Sequence, residues 1–174
     1  ILAAYSGKKN GGNNITENPN NNTLEIKHDV TINTNGYAYL YGSCIDGGAD
    51  ASYNAVATGN SVSLEGVTLT RGGHTFIAGA LSNDGSNADV DSNKTILKDV
   101  EVKLADGSAL CVYGGEARGG SATNNEAVVE KVSVKNAEMY GGFVFSKGGD
   151  ASGNTISLTD VTLGEGSTVA GGHV

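Results

Sequence analysis

The chain has 174 residues, of which 38% are hydrophobic, and it holds 27 glycines against one proline, three phenylalanines and no tryptophan. Such a composition fits one domain with a narrow core and disfavours a globular interior filled by bulky side chains. The formal charge of −8 and the pI near 4.7 disfavour nucleic acid and anionic membranes as partners, because no basic run is present to pair with phosphates.

A short sequence motif that begins with asparagine recurs five times. Each asparagine is followed by two apolar residues on alternating positions, a polar corner and two more apolar residues. The five asparagines are Asn22, Asn60, Asn93, Asn125 and Asn154. Stacked amides hydrogen-bond from layer to layer and asparagine tolerates a left-handed turn, so we expect these five residues to form a structural ladder.

This asparagine motif divides the chain into repeats. A partial repeat, 1–21, precedes four repeats, and a second partial repeat, 154–174, follows them. The four repeats are 22–59, 60–92, 93–124 and 125–153. Because both ends cut through a repeat, we expect one β-helical repeat domain that is a stretch of a longer protein. No segment reaches the ~20 apolar residues that a transmembrane helix needs.

Each repeat predicts three short strands. In the second repeat, residues 61–64 and 67–69 alternate with the two-residue period of half-buried strands, and the polar pair Glu65-Gly66 between them predicts a corner. A third strand ends in glycine, as in Val112-Tyr113-Gly114-Gly115. We expect these glycine pairs to supply positive φ and close backbone approach at a second sharp corner.

Three strands and three bends return the chain to its start, one layer further along. This predicts an all-β fold, a single-stranded parallel β-helix of about five coils stacked at ~4.8 Å with three strands per coil. The unequal repeat lengths then place loops on one side of the stack. An arrangement with two smaller coils of about 15 residues per repeat is also open.

Two cysteines, Cys44 and Cys111, occupy different columns in repeats that one whole repeat separates. Two layers place their backbones roughly 9.6 Å apart, which is beyond the reach of a disulfide. We therefore predict two free and mostly buried thiols.

The last repeat is similar to those of a known class of secreted proteins. Residues 148–162, GGDASGNTISLTDVT, followed by Val169-Ala170-Gly171-Gly172, resemble the Gly/Asn-rich repeats of bacterial autotransporter passengers, which are adhesin-like rods. Related forms occur at 47–52 and 119–124. The resemblance implies a right-handed β-helix that is displayed at the bacterial cell surface or secreted, and it transfers no catalytic or binding residue to this chain.

Acidic residues recur at the corners, at Glu65, Asp99 and Asp160, where solvated corner residues explain them without a catalytic or metal pair. Glycine–aspartate turns at 47–50 and 148–150 resemble those of calcium-binding β-rolls, but those rolls repeat every nine residues. If a calcium site exists, residues 84–91 are the expected place.

The histidines His28, His74 and His173 fall at unrelated offsets, and we expect each in a surface loop. We therefore predict no catalytic residue, no metal and no cofactor.

Tyrosines mark a possible ligand-binding strip. In Tyr37-Ala38-Tyr39-Leu40-Tyr41, a buried Leu40 would turn the three tyrosines outward, and Tyr113 and Tyr140 extend those columns. Exposed tyrosines bind sugar rings or proteins, since they bury a large area and keep a hydroxyl. The alternative is aromatic stacking that stiffens the sheet or packs beneath the loop after Cys44.

The leading hypothesis is a non-enzymatic, adhesin-like rod that acts in display, adhesion or cell–cell interaction. Its partners would be a host protein, a glycan or a neighbouring bacterial cell, with possible end-to-end self-association and no direct membrane insertion. The alternative is a polysaccharide-binding or polysaccharide-degrading β-helix, which needs two exposed carboxylates within ~5 to 10 Å. An ice-binding solenoid is disfavoured, because only Thr68 and Thr70 form a clear Thr-x-Thr in a repeat strand.

Overall fold

The computed structural model describes residues 1–7, 18–46, 55–70, 72–83, 87–145 and 149–174. Over these ranges the chain is all β, without helices, and its parallel strands stack as a β-solenoid of about four turns with roughly three strands per coil. The predicted fold class is confirmed. Each repeat forms one coil, so the arrangement with two smaller coils per repeat is wrong.

The described strands follow the repeats. In chain order they are β1 (Leu2–Gly7), β2 (Thr23–Lys27), β3 (Thr31–Asn33), β4 (Ala38–Asp46), β5 (Val56–Thr58), β6 (Ser61–Glu65), β7 (Thr68–Thr70), β8 (Thr75–Ser82), β9 (Asp89–Asp91), β10 (Lys94–Lys98), β11 (Glu101–Lys103), β12 (Leu110–Ala117), β13 (Ala122–Thr123), β14 (Glu126–Glu130), β15 (Ser133–Val134), β16 (Ala137–Val144), β17 (Thr155–Thr159), β18 (Thr162–Leu163) and β19 (Thr168–His173). We number the coils one to five by their opening strands β2, β6, β10, β14 and β17.

In the described parts of the chain, equivalent strands of successive coils form four sheets. Sheet I has the order β2-β6-β10-β14-β17, and sheet II has the order β3-β7-β11-β15-β18. Sheet III, the longest, has the order β1-β4-β8-β12-β16-β19. Sheet IV consists of β5-β9-β13. Every pairing is parallel, so each coil lies directly on the previous one.

The apolar ranks of the repeat are in register. Leu64 of β6 pairs with Ile26 and Leu97, and the same rank continues through Val129 and Leu158. Side chains from sheets I, II and III together form the main core. Thr95 replaces an apolar residue there, and its buried hydroxyl donates to the carbonyl of Tyr113 at 2.6 Å.

The corner between sheets I and II is set by left-handed residues. Gly66, Asp99, Lys131 and Asp160 have φ between 50° and 63°, as the polar pairs of the sequence predict. Backbone hydrogen bonds to the next coil support the less favourable residues, since the Lys131 amide donates to Thr159 O at 2.9 Å. These bonds offset the strain of positive φ in a residue with a side chain.

The glycine pairs of the third strand do not form a corner, which corrects the sequence expectation. They lie within the continuous strands of sheet III, and none of them has a positive φ. A Cβ on Gly79 would approach Gly114 O and Lys94 N to 2.6 Å each. The glycines are required because sheet III and the start of sheet I touch here, at a waist in the cross-section.

Beyond the waist lies a second, smaller core. The last residues of the sheet III strands pack against sheet IV, with Ile45, Ala57, Val90, Ala117 and Ala122 all buried. Segments predicted as loops thus contain a fourth short strand in three coils. Alanine dominates this core because the sheets are close together.

The asparagine ladder runs along the waist between the two cores. The side-chain Oδ1 of the second to fifth ladder asparagines accepts hydrogen bonds from the backbone amide and the Nδ2 of the asparagine one coil earlier. For Asn93 and Asn125 these distances are 2.9 and 3.0 Å. The remaining Nδ2 proton of Asn93 goes to Ala57 O at 2.9 Å. The buried amides are fully hydrogen-bonded, as polar groups in a core must be.

Replacement of Asn93 by alanine should lower the free energy of unfolding by about 2–4 kcal/mol, because it leaves the backbone amide and one Nδ2 proton of Asn60 without an acceptor and removes one donor each from Asn125 Oδ1 and Ala57 O. Urea denaturation measures the change. Asn33→Ala, at an exposed position of β3, is the matched control and should change stability by less than about 0.5 kcal/mol. Equal effects of the two substitutions would contradict the ladder's structural role.

The waist predicts a large effect for a single methyl group. Gly79→Ala should destabilise the fold by about 3 kcal/mol or more, since the added Cβ meets backbone atoms that cannot move independently. Gly36→Ala is the control, because a Cβ there has no atom within 4 Å. Thermal unfolding of both variants distinguishes them, and a stable Gly79→Ala protein would argue against the close approach.

Candidate functional site

The outer face of sheet III carries the predicted tyrosines. Leu40, Ile77, Val112 and Met139 point into the main core, so the residues that alternate with them face outward. One outward rank runs Tyr41, Ala78, Tyr113, Tyr140 and Ala170. A neighbouring rank runs Tyr39, Phe76, Cys111, Glu138 and Thr168.

A single exposed tyrosine strip is not present. Tyr37 and Tyr39 are 60% and 45% exposed, whereas Tyr41, Tyr113 and Tyr140 are only 6%, 2% and 6% exposed. The expectation was wrong for these three residues because neighbours on the same face pack around them. Their apolar neighbours are Cys44, Ala78, Leu81, Cys111 and Phe143. The outer face therefore holds a third apolar cluster.

The rings form two groups that Ala78 separates. In the first group Tyr39 stacks on Phe76 with centroids 5.3 Å apart, and Tyr37 stacks on His74 at 5.7 Å. In the second, Tyr113, Tyr140, Phe143 and His173 stack at 5.0–5.9 Å. Since ring faces contact one another along the column, stacking along the solenoid axis is their main interaction.

Two of the histidines stack in these columns, and for His173, which lies in a strand, the assignment to a surface loop is wrong. His74 directly precedes β8 and its Nδ1 accepts a hydrogen bond from the Ala109 amide at 3.2 Å. His173 lies in β19, with its ring 5.0 Å from Tyr140. Alignment of the glycine phrases could have located His74, because it precedes Gly79 by the same offset as Tyr37 precedes Gly42. His28 occupies the extra corner residue of coil one, with a φ of 46°.

Both cysteines are free and buried in or beside the third cluster, as the sequence predicts. Burial raises the pKa of Cys44 and of Cys111 to about 12. Burial also raises the pKa of Tyr41 and Tyr113 well above the usual value. Low thiolate content makes these thiols poor nucleophiles and poor metal ligands.

Two of the three corner acids are engaged with lysines of neighbouring coils. Glu65 lies 3.5 Å from Lys98, and Asp99 lies 3.6 Å from Lys131. Among the described residues no group of three or more His, Cys, Asp or Glu side chains is arranged to hold a metal ion. The same part of the chain contains no helix long and apolar enough to cross a membrane.

The glycine–aspartate turn at 47–50 and residues 84–86 lie outside the described residues, as does Gly148. Two aspartates of the segment expected to hold calcium lie among the described residues. Both accept hydrogen bonds from the neighbouring coil. Asp89 accepts a hydrogen bond from the Ser121 amide at 2.7 Å. Asp91 accepts from Thr123 Oγ1 at 2.8 Å and from Asn124 Nδ2 at 2.9 Å. Hydrogen bonds from Asn124, Thr123 and Ser92 outweigh desolvation and lower the pKa of Asp91.

A cavity of about 520 Å³ lies where sheet II passes into sheet III. Its lining includes Leu104, Asp106, Lys135, Asn136 and Glu165, from coils three, four and five. We call this cavity the notch. Sequence reasoning missed it, although the connections between the second and third strands differ visibly in length.

Comparison of the chain with protein-family models, with curated proteins and with solved structures finds no match. Functional inference therefore depends on the fold and on the surfaces that it exposes.

The buried thiols give a direct test of the third cluster. A thiol pKa of about 12 in place of 9.0 lowers the thiolate fraction at pH 8 by about a thousandfold. We expect Ellman's reagent to modify native Cys44 and Cys111 much more slowly than the urea-unfolded chain, because both the low thiolate fraction and burial hinder the reaction. Absorbance of the released thiolate measures both rates. Rapid modification of the folded protein would show that the cluster is open to solvent.

Proposed function

We propose that this chain is a non-enzymatic, adhesin-like β-helical rod, displayed at a bacterial surface or secreted, whose faces bind a host protein, a glycan or a neighbouring cell. The observation that carries the proposal is the in-register stack of parallel coils around a buried amide ladder. Such a stack makes a stiff, quasi-one-dimensional scaffold, and its connections vary from coil to coil without disturbing the core.

Charge and hydrogen bonding on the coils support a scaffold in preference to an enzyme. Outward charges alternate along sheet I, where Lys94 lies 2.7 Å from Glu126 and Lys98 lies 3.5 Å from Glu65. These carboxylates of sheet I are engaged with lysines, whereas a hydrolase or lyase needs carboxylates that are free to act on a substrate. Ion pairs between coils instead help to fix the register of neighbouring strands.

The exposed rings of coil one are one candidate surface for partners. Tyr37 and Tyr39 have centroids 6.4 Å apart and project from the outer face with much of their area in solvent. Exposed tyrosines at this density are typical of binding surfaces.

A binding screen tests the proposal. The chain is labelled and applied to arrays of host extracellular proteins, glycans and whole bacterial cells, beside the double variant Tyr37→Ser/Tyr39→Ser. If the rings of coil one make the contact, the double variant should bind about tenfold more weakly or worse. Tyr5→Ser is the matched control, since Tyr5 is 61% exposed and belongs to β1.

Each outcome of the screen has a separate meaning. Binding that survives the double substitution would move the contact to another face of the rod. Absence of binding to every host protein, glycan and cell would contradict the adhesin-like function itself.

A further inference from the structure

The notch exists because one connection is shorter than its neighbours. Residues 104–109 join β11 to β12 in coil three, and residues 164–167 join β18 to β19 in coil five. In coil four only Lys135 and Asn136 join β15 to β16. The short connection recedes between the two longer ones and leaves a gap where one layer of turn is missing.

The two walls of the notch are equivalent tight turns. In one wall the Ser108 amide donates to Ala105 O at 3.1 Å, and in the other the Ser167 amide donates to Gly164 O at 3.4 Å. Gly107 and Gly166 occupy the third position of these turns with φ of 80° and 84°, which is the type II geometry. The second position of each turn is acidic.

The turns place one carboxylate on each side of the notch. Asp106 stands on the coil-three wall and Glu165 on the coil-five wall, with Lys135 and Asn136 between them. Open space surrounds the Cα of both turn glycines, so the tips of the walls are unobstructed. Acceptors on both walls therefore face a donor and an amide on the floor.

Each wall is held by hydrogen bonds to a neighbouring coil. The Gly164 amide donates to Val134 O at 2.9 Å, and the Ala137 amide donates to Ser167 Oγ at 3.1 Å. Ser108 Oγ donates to Gly72 O at 3.1 Å, which ties the other wall to coil two. A cavity held in this way is largely pre-formed, as ligand sites usually are.

The size and charge of the notch select the ligand class. Its volume of about 520 Å³ lies within the range of small-molecule sites. Lys103 and Lys135 balance Asp106 and Glu165 in its lining, so the notch attracts neither an anion nor a cation by net charge. Mixed donors and acceptors beside the half-buried side chain of Leu104 match sugar hydroxyls and the C–H face of a sugar ring.

A ligand that enters the notch loses little free energy by displacing the ion pair there. Lys135 Nζ lies 3.0 Å from Asp106 Oδ1, but the two side chains are 87% and 92% exposed. An ion pair in so much water contributes little to stability, so sugar hydroxyls can replace its partners.

We propose that the notch binds one or two rings of a neutral glycan, with Asp106 and Glu165 accepting hydrogen bonds from hydroxyl groups and Lys135 and Asn136 donating to them. The inference names a ligand class for the adhesin-like function and rests on that function.

The test is a titration of the ¹⁵N-labelled chain, followed by amide chemical shifts. The probes are neutral disaccharides of glucose, galactose, mannose and N-acetylglucosamine, beside galacturonic acid, inorganic phosphate and Ca²⁺. We expect at least one neutral disaccharide to shift the amides of the 104–108, 135–136 and 165–166 segments saturably. The charged probes should leave those amides unchanged.

Two variants locate the site. Asn136→Ala, which keeps the backbone contacts of the floor, should weaken binding by about tenfold. Insertion of one glycine between Asn136 and Ala137 gives the floor the three residues that coil five has between Leu163 and Ser167, so it should fill the notch and abolish binding. Asn33→Ala, on an exposed position of β3 away from the notch, is the matched control and should bind like the parent chain.

Shifts confined to other surfaces, or a parent-like affinity in the insertion variant, would overturn the glycan notch. Binding of phosphate or Ca²⁺ in preference to neutral sugar would also overturn it. If no disaccharide binds but the host-protein or cell screen is positive, the notch inference fails while the adhesin-like function stands. Failure of both experiments removes the function as well.

Discussion

The fold depends on the packing of buried amides against glycine at the waist. Each ladder asparagine bonds to the next through both its side chain and the backbone, so it fixes the vertical register of the coils and satisfies a polar group inside the core at once. Glycines opposite the ladder leave the room that it needs, because a Cβ on Gly115 would lie 2.6 Å from Asn125 Oδ1. A shift of one coil by one residue would break both arrangements together.

A waist of this kind divides the interior into two cores with different demands. The main core takes large ranks such as Leu64 and Leu97, whereas the smaller core beyond the ladder takes alanine and valine. Because the buried residues of successive coils are stacked in equivalent layers in both cores, the coils differ mainly in the length of the connections between their strands. The notch is a direct result, since it records a difference in connection length between coils whose interiors are the same.

On the outer face of sheet III, some aromatic side chains are buried by stacking on one another, whereas others remain partly exposed to solvent. Tyr113 and Tyr140 are buried by their stacking neighbours, and beside them the thiols of Cys44 and Cys111 are shielded from solvent. Tyr37 and Tyr39 use one part of each ring for stacking and present the rest to solvent. Buried and exposed rings are therefore separated along the same sheet, by position in the stack.

The sequence by itself determined the features that repeat at fixed offsets. The strand alternation around Leu64, the corner at Gly66, the asparagine column and the separation of Cys44 from Cys111 all follow from local period and chain spacing, which one coil is enough to specify. Only the tertiary structure decided the features that depend on how different coils meet. The glycine pairs proved to be a waist because the chain that approaches them comes from the next coil. Tyr113 proved to be buried because Tyr140 and Phe143, both in β16 of the next coil, stack on its ring. The notch likewise needs coils three, four and five to be stacked, since a two-residue connection forms a cavity only when longer ones flank it in space.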